Sequence, residues 1–255
     1  MSNFDFLEGE SELPQMNYSN KYQVKFILVG DSGVGKWNII LRFAHNEFKG
    51  ELLPTIGLEY ERKQIKYNNN EYLIQLWDTA GQEHFRSVVR GYYKGSAVAM
   101  IVYDITNKQS FSNVEKWINE CKDNAPSSAI LVLLGNKSDW EDKRVISKER
   151  GENLAEENGM IFFETSALNG NGVENAFHKC IEIIDEKLKN GEYNLDDSDN
   201  MYCGIKKIGK ENRTIGVIDK EALKEGQKPQ KNSRCCGKKN WTKYNNINNY
   251  NIINN

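Results

Sequence analysis

Apolar residues recur along this chain in two spacings that take turns. Between Lys21 and about residue 190, short apolar runs of strand length exchange with stretches apolar at every third or fourth position. Residues 22–29 read as a first strand and 37–46 as a helix, with 48–55 a loop marked by Gly50 and Pro54. Residues 58–67 and 71–77, rich in β-branched and aromatic types, flank Asn68-Asn69-Asn70 and read as a hairpin. A loop from Asp78 and a short helical segment to about Lys94 come next. Residues 97–103 are apolar throughout, as in a strand covered on both faces. A helix over 110–123 carries Phe111, Val114, Trp117, Ile118 and Cys121 at helical spacing, and 129–135 is another buried strand. Helix 147–158, strand 160–165 and helix 172–189 complete the series. The alternation predicts one α/β domain over 21–190: a mostly parallel six-stranded sheet, one antiparallel edge strand, and helices on both faces.

The ends read differently. Residues 1–20 show no periodicity and carry Asp5, Glu8, Glu10 and Glu12 without a base, which predicts a disordered acidic extension. Residues 191–255 read as a disordered basic tail, in which 201–255 hold ten Lys and two Arg against Asp219, Glu211, Glu221 and Glu225. With a net charge of −2 overall, the body between them is acidic. Such a tail suits an anionic surface like the cytoplasmic membrane leaflet, or is simply a solvated segment. No apolar run reaches the roughly 18 residues of a membrane span, no secretory signal opens the chain, and Ser2 excludes N-myristoylation. The five cysteines form no CxxC pair, and His45, His84 and His178 do not cluster, so a cytosolic, reduced, zinc-free protein is expected.

Ligands of such sheets bind beyond the carboxyl ends of the strands, so the residues after each strand form the candidate site. The first strand leads into Gly30-Asp31-Ser32-Gly33-Val34-Gly35-Lys36 and then a helix, the context of a phosphate-binding loop. Its glycines let backbone N–H groups approach an anion, the helix start adds a positive dipole end, and Lys36 a point charge. Trp37 stands where such a loop carries Ser or Thr, whose hydroxyl ligates Mg²⁺. The hairpin leads to Asp78-Thr79-Ala80-Gly81-Gln82, strand 129–135 to Asn136-Lys137-Ser138-Asp139, and the last strand to Thr165-Ser166-Ala167-Leu168. A carboxylate such as Asp139 can accept from guanine N1–H and its 2-amino group, a pair that adenine lacks.

In this order and spacing the four motifs resemble the small GTPases of the Ras superfamily; an ATP-binding P-loop kinase would share only the first. Over 21–190 the chain looks like a Rab, through Ile56-Gly57-Leu58-Glu59-Tyr60, the run from Trp77-Asp78-Thr79-Ala80-Gly81-Gln82 to Ser87, Tyr92-Tyr93-Lys94-Gly95 and Glu164-Thr165-Ser166-Ala167-Leu168. The resemblance implies the P-loop NTPase fold, GTP or GDP with Mg²⁺ as ligands, and slow GTP hydrolysis in a vesicle-trafficking switch. It implies that Asp31, Ser32, Gly33, Val34, Gly35, Lys36 and Trp37 surround the phosphates, and that Asn136, Lys137, Asp139, Ser166, Ala167 and Leu168 surround the base. Thr55 and Asp78 would serve the metal, Gly81 the γ-phosphate, and Gln82 the attacking water. Release of Thr55 on hydrolysis would be the switch. Ile56, Gly57, Tyr60, Trp77 and Tyr92 would face effectors, with core packing as the other role of these aromatics. The partners expected are effectors, exchange factors, GTPase-activating proteins, prenylation and extraction chaperones, and a membrane surface met by the tail. No nucleic acid is among them, and the expected state is monomeric. The location implied is cytoplasmic, peripheral on endomembranes if prenylated. The strip 158–195, with Glu192-Tyr193, looks most like the endosomal and Golgi recycling subgroup.

The chain departs from that family pattern twice. An indole at Trp37 offers Mg²⁺ no oxygen, which predicts weakened metal and GTP binding. The alternative to a cycling GTPase is therefore a nucleotide-impaired relative acting as a partner-binding module. The pair Cys235-Cys236 looks like the prenylated cysteines of Rabs, yet nineteen residues follow it. Either the mature end lies near Cys236, or the tail is genuine and lipid attachment is lost.

Overall fold

The computed structural model of the protein describes residues 20–50, 58–79, 91–193, 195 and 203–208. The first half of this region contains β1 (Asn20–Val29), α1 (Lys36–His45), β2 (Leu58–Tyr67), β3 (Asn70–Thr79) and β4 (Val98–Asp104). Next come α2 (Lys108–Ser112), α3 (Val114–Asn124), β5 (Ile130–Asn136), α4 (Lys148–Glu157), β6 (Ile161–Thr165), α5 (Val173–Lys189) and β7 (Ile205–Ile208). The sheet order is β2-β3-β1-β4-β5-β6; β3, β1, β4, β5 and β6 run parallel, and β2 pairs with β3 antiparallel at the edge.

β1 is the axis. Val24, Phe26 and Leu28 point to one face and Ile27 and Val29 to the other, all without exposure, so both faces need cover. On the first face α1 and α5 supply Ile39, Ile40, Phe43, Phe177, Ile181 and Ile184, with the Phe43 and Phe177 rings stacked 3.9 Å apart. On the second, α3 contributes Val114, Trp117, Ile118 and Cys121, and α4 contributes Ala155. Because the parallel strands share one direction, their carboxyl ends make one rim. Asp104, Asn136 and Thr165 are register neighbours across β4, β5 and β6, and Leu28 is level with Asp78.

The structure refines the sequence expectations at three places. The hairpin turn is Asn68-Asn69 alone, with Asn68 at φ +50°; Asn70 already belongs to β3, opposite Tyr67, and its buried side chain donates to Asp185 Oδ1 at 2.8 Å. The helix expected over 110–123 divides at Asn113 into α2, capped by Asn107 Oδ1 accepting from Gln109 N and Ser110 N, and α3.

The six expected strands are present, and a seventh joins them from the stretch read as tail. β4 pairs with β1 only over Phe26–Val29, which leaves the edge of Lys21–Val24 open below it. β7 pairs antiparallel with those four residues, and Ile205 is buried in the first-face core. Gly204, at φ +71°, leads in so close to the chain before β4 that a Cβ there would overlap the backbone of Gly95, Ser96 and Ala97. Tyr193 and Leu195 also pack on this core. Residues 1–19 and 209–255, the bulk of both predicted tails, lie outside the described residues.

Candidate functional site

The first loop leaves β1 at Gly30 and enters α1 at Lys36. Gly35 sits at φ +96°, where a Cβ would lie 2.5 Å from Asn136 Nδ2; the conformation and the contact both select glycine. At Gly33 nothing among the described residues lies within 4 Å of a Cβ position, so on their side the backbone is open to approach. Lys36 is 6 % exposed and its Nζ donates to the carbonyls of Gly30 (3.0 Å) and Asp31 (3.1 Å). Burial pushes this amine below its usual range, opposed by the carboxylates of Asp78 and then Asp31. Asp78 is buried on the neighbouring strand end, which Thr79 ties to β1 by donating from Oγ1 to Leu28 O at 2.8 Å. Ser32 is exposed and Val34 buried. The donor set fits a polyphosphate: open loop backbone, a helix N-terminus and a buried ammonium. The Trp37 indole is half-buried and packs against the first-face core.

Two further loops join this one through Asn136. Its Nδ2 donates to Val34 O at 2.8 Å, while its Oδ1 accepts from Thr165 Oγ1 at 3.1 Å, so one amide links three loops. Lys137 adopts φ +67° and pairs through Nζ with Asp104 Oδ2 at 2.7 Å. Ser166 donates from Oγ to Asp139 Oδ1 at 2.5 Å and accepts from Asn169 N at 3.2 Å. Arg42 on α1 clamps the last loop, donating from Nε to Ala167 O (2.8 Å) and from Nη2 to Leu168 O (2.6 Å). Ala167 is 4 % exposed and Leu168 48 %, so the loop presents its backbone near the rim and its leucine to solvent.

Beside the rim, Tyr60, Trp77 and Tyr92 form one aromatic row, with ring centroids 4.7 Å and 5.5 Å apart. Tyr60 and Trp77 are cross-strand partners in the hairpin. Lys25 lies under the row, 5.4 Å from the Trp77 ring, and donates to the carbonyls of Tyr92 (2.7 Å) and Lys94 (3.0 Å). Burial lowers its amine.

Of the candidate residues, the structure gathers the first-loop set, Asp78, Asn136, Lys137, Asp139, Ser166, Ala167 and Leu168 at one rim. Thr55, Ile56, Gly57, Gly81, Gln82, Cys235 and Cys236 lie outside the described residues. Sequence reasoning missed Asp104, although it ends a buried strand at the same rim and the strand-end rule reaches it. It also missed Arg42, Asn113 and the indole N–H of Trp117; nothing in a helical periodicity announces those polar contacts.

A rim of four loops in which Asn136 joins a phosphate loop to a carboxylate-bearing loop defines a P-loop protein of the GTPase class. The Ras family model matches residues 25–186. The chain is 42 % identical to the Ras-related protein Rab-4 of Dictyostelium discoideum over 175 residues, which is 69 % of this chain and 85 % of that protein. It is 41 % identical to Rab-11B of the same organism over 207 residues (81 % and 91 %), and 44 % to Rab2BV of Beta vulgaris over 170 (67 % and 79 %). The chain belongs to the Ras family, as a Rab-like small GTPase: a GTP hydrolase that serves vesicle trafficking. Members of this family bind GTP or GDP with Mg²⁺.

Proposed function

We propose that the rim holds the guanine nucleotide with its phosphates on the backbone of residues 31–36 and Lys36, and its base against Lys137, Asp139 and the Ala167 N–H. The observation that supports this most is the Ser166–Asp139 hydrogen bond of 2.5 Å, which fixes one carboxylate oxygen and so orients the other. Competition between guanine and adenine nucleotides tests it. Asp139→Asn should weaken GDP by about ten- to a hundred-fold, the range for a hydrogen bond to a charged group. Preference for adenine, or selectivity unmoved by the substitution, defeats the reading.

In the same site Trp37 weakens the coupling of Mg²⁺ to GTP, because Mg²⁺ demands near-octahedral oxygen ligands and the indole supplies none. The second reading, a partner-binding module that cycles poorly, rests on that missing oxygen, the ring itself packing against the core. Titrating Mg²⁺ against GTP affinity separates the two. Trp37→Ser should tighten GTP only when Mg²⁺ is present; a gain without Mg²⁺, or none at all, counts against the metal argument.

The row of Tyr60, Trp77 and Tyr92 supports a surface for effectors, with exchange and activating proteins acting on the adjoining loops. Thr55 and Gln82 act there as the switch threonine and the water-orienting glutamine. The tail meets the cytoplasmic side of endosomal or Golgi membranes through prenyl groups on Cys235 and Cys236 and its basic residues. Intact mass of protein purified from cells reads the lipid state directly; an unmodified chain in the membrane fraction rejects the prenyl anchor.

A further inference from the structure

Asp31 places a carboxylate in a loop built to receive phosphates, where like charge opposes the ligand. The structure shows how the chain disposes of it. Asp31 Oδ2 accepts from Asn113 Nδ2 at 2.7 Å, and Oδ1 accepts from the indole Nε1 of Trp117 at 2.9 Å. Both donors are neutral and both are held. Asn113 sits at the break between α2 and α3, with its own Oδ1 accepting from Gln109 Nε2 at 3.2 Å. The Trp117 ring is 3 % exposed in the second-face core. Meanwhile the Asp31 main chain works inward, its carbonyl accepting from Lys36 Nζ at 3.1 Å.

We propose that Asn113 and Trp117 are positioning residues for nucleotide binding: they hold the Asp31 carboxylate on α3, so that it neither repels the phosphates nor captures the Lys36 ammonium. Asn113 presents its amide to Asp31 from the break itself, as the residue shared by the end of α2 and the start of α3. The role rests on the guanine-nucleotide reading of the rim; the contact itself does not.

The brace and an ordinary structural tie predict opposite signs for one variant. Release of labelled GDP should quicken about ten-fold in Asn113→Ala, as a charge-assisted hydrogen bond is lost. In Trp117→Phe, which keeps an aromatic ring in the core but lacks the indole N–H, it should also quicken. Asp31→Ala should slow release, because it removes the charge that opposes the phosphates while the loop backbone that holds them stays. Adding Asn113→Ala to Asp31→Ala should change release less than about two-fold, the non-additivity of a coupled pair. If Asp31→Ala instead releases GDP as fast as Asn113→Ala, the contact is only a tie and the proposal fails. A second readout needs no nucleotide: the Trp117 indole N–H resonance of nucleotide-free protein should move in Asp31→Ala, and an unmoved resonance removes the contact. A chain that binds no GDP while its indole resonance responds defeats the nucleotide reading, and the proposed role with it, but leaves the contact standing.

Discussion

Tyr103 shows how single residues in this core trade space. A Cβ at Gly135 would stand 2.8 Å from its hydroxyl oxygen and one at Gly151 2.6 Å, so the phenol occupies room that both glycines vacate. The ring is fully buried, 5.0 Å from Phe111 edge to face, and burial drives its hydroxyl above the usual tyrosine range. That hydroxyl has no hydrogen-bond partner among the described residues. A desolvated, unpaired hydroxyl destabilises, whereas its removal leaves the ring packing intact. Tyr103→Phe should therefore raise stability by about 1 kcal/mol, read as a shift in urea midpoint at constant slope. Loss of stability on this substitution would show that the oxygen fills its gap usefully.

Among the elements, β7 depends most on the rest of the fold. Lys25 N donates to Gly204 O and Ala97 N to Lys25 O, both at 2.9 Å, so β1, the lead-in to β4 and the start of β7 are tied at one point. Gly204→Val would put a side chain into that junction at φ +71°, and β7 should detach. Hydrogen exchange would then show loss of protection at 203–208 and at Lys25, about ten-fold or more, with the rim amides unchanged. Protection retained at 205–208 would mean that Gly204 is not the anchor. This element also marks where the sequence stops being legible. Strands 97–103 and 129–135 could be read because full burial writes an unbroken apolar run, and α3 because its buried stripe repeats at helical spacing. Ile205-Lys206-Lys207-Ile208 writes neither period; its partner is the edge of β1 that β4 leaves free, which exists only after the sheet has formed. The break at Asn113 is hidden for the same reason, since Asp31 is distant in sequence. The rim was open to inference because parallel strands bring their carboxyl ends together whatever the loops contain. Asp104 lay within reach of the strand-end rule, but its pairing with Lys137 and the Arg42 clamp on the last loop are side-chain matches that only coordinates supply.

At the scale of the molecule, the rim of loops is balanced by a polar lock at the opposite, amino end of β1 and β3. Asp185 on α5 is fully buried there. Its carboxylate accepts from Tyr72 Oη at 2.6 Å, Asn70 Nδ2 at 2.8 Å and Asn68 Nδ2 at 2.7 Å, and pairs with Lys189 at 2.6 Å. Burial alone would push this carboxyl up; the bonds from Lys189, Tyr72, Asn68 and Asn70 outweigh it and bring it down to about 2. A carboxyl depressed in the folded state contributes its stability in full above its unfolded value, near 4. That contribution fades as pH falls through the window between about 4 and about 2. The depression corresponds to about 2 kcal/mol by proton linkage. The lock joins α5 to the β2–β3 hairpin, so its release should be felt in global unfolding. Asp185→Asn keeps the shape and removes the titration, so whatever penalty it carries for misplaced donors is independent of pH. The stability difference between wild type and Asp185→Asn, from denaturant midpoints at fixed ionic strength, should accordingly be constant from pH 7 to about 5 and narrow by about 2 kcal/mol on approach to pH 2. A difference that stays level down to pH 2 would mean the folded and unfolded proteins hold this proton equally, and that the lock is geometric without being electrostatic.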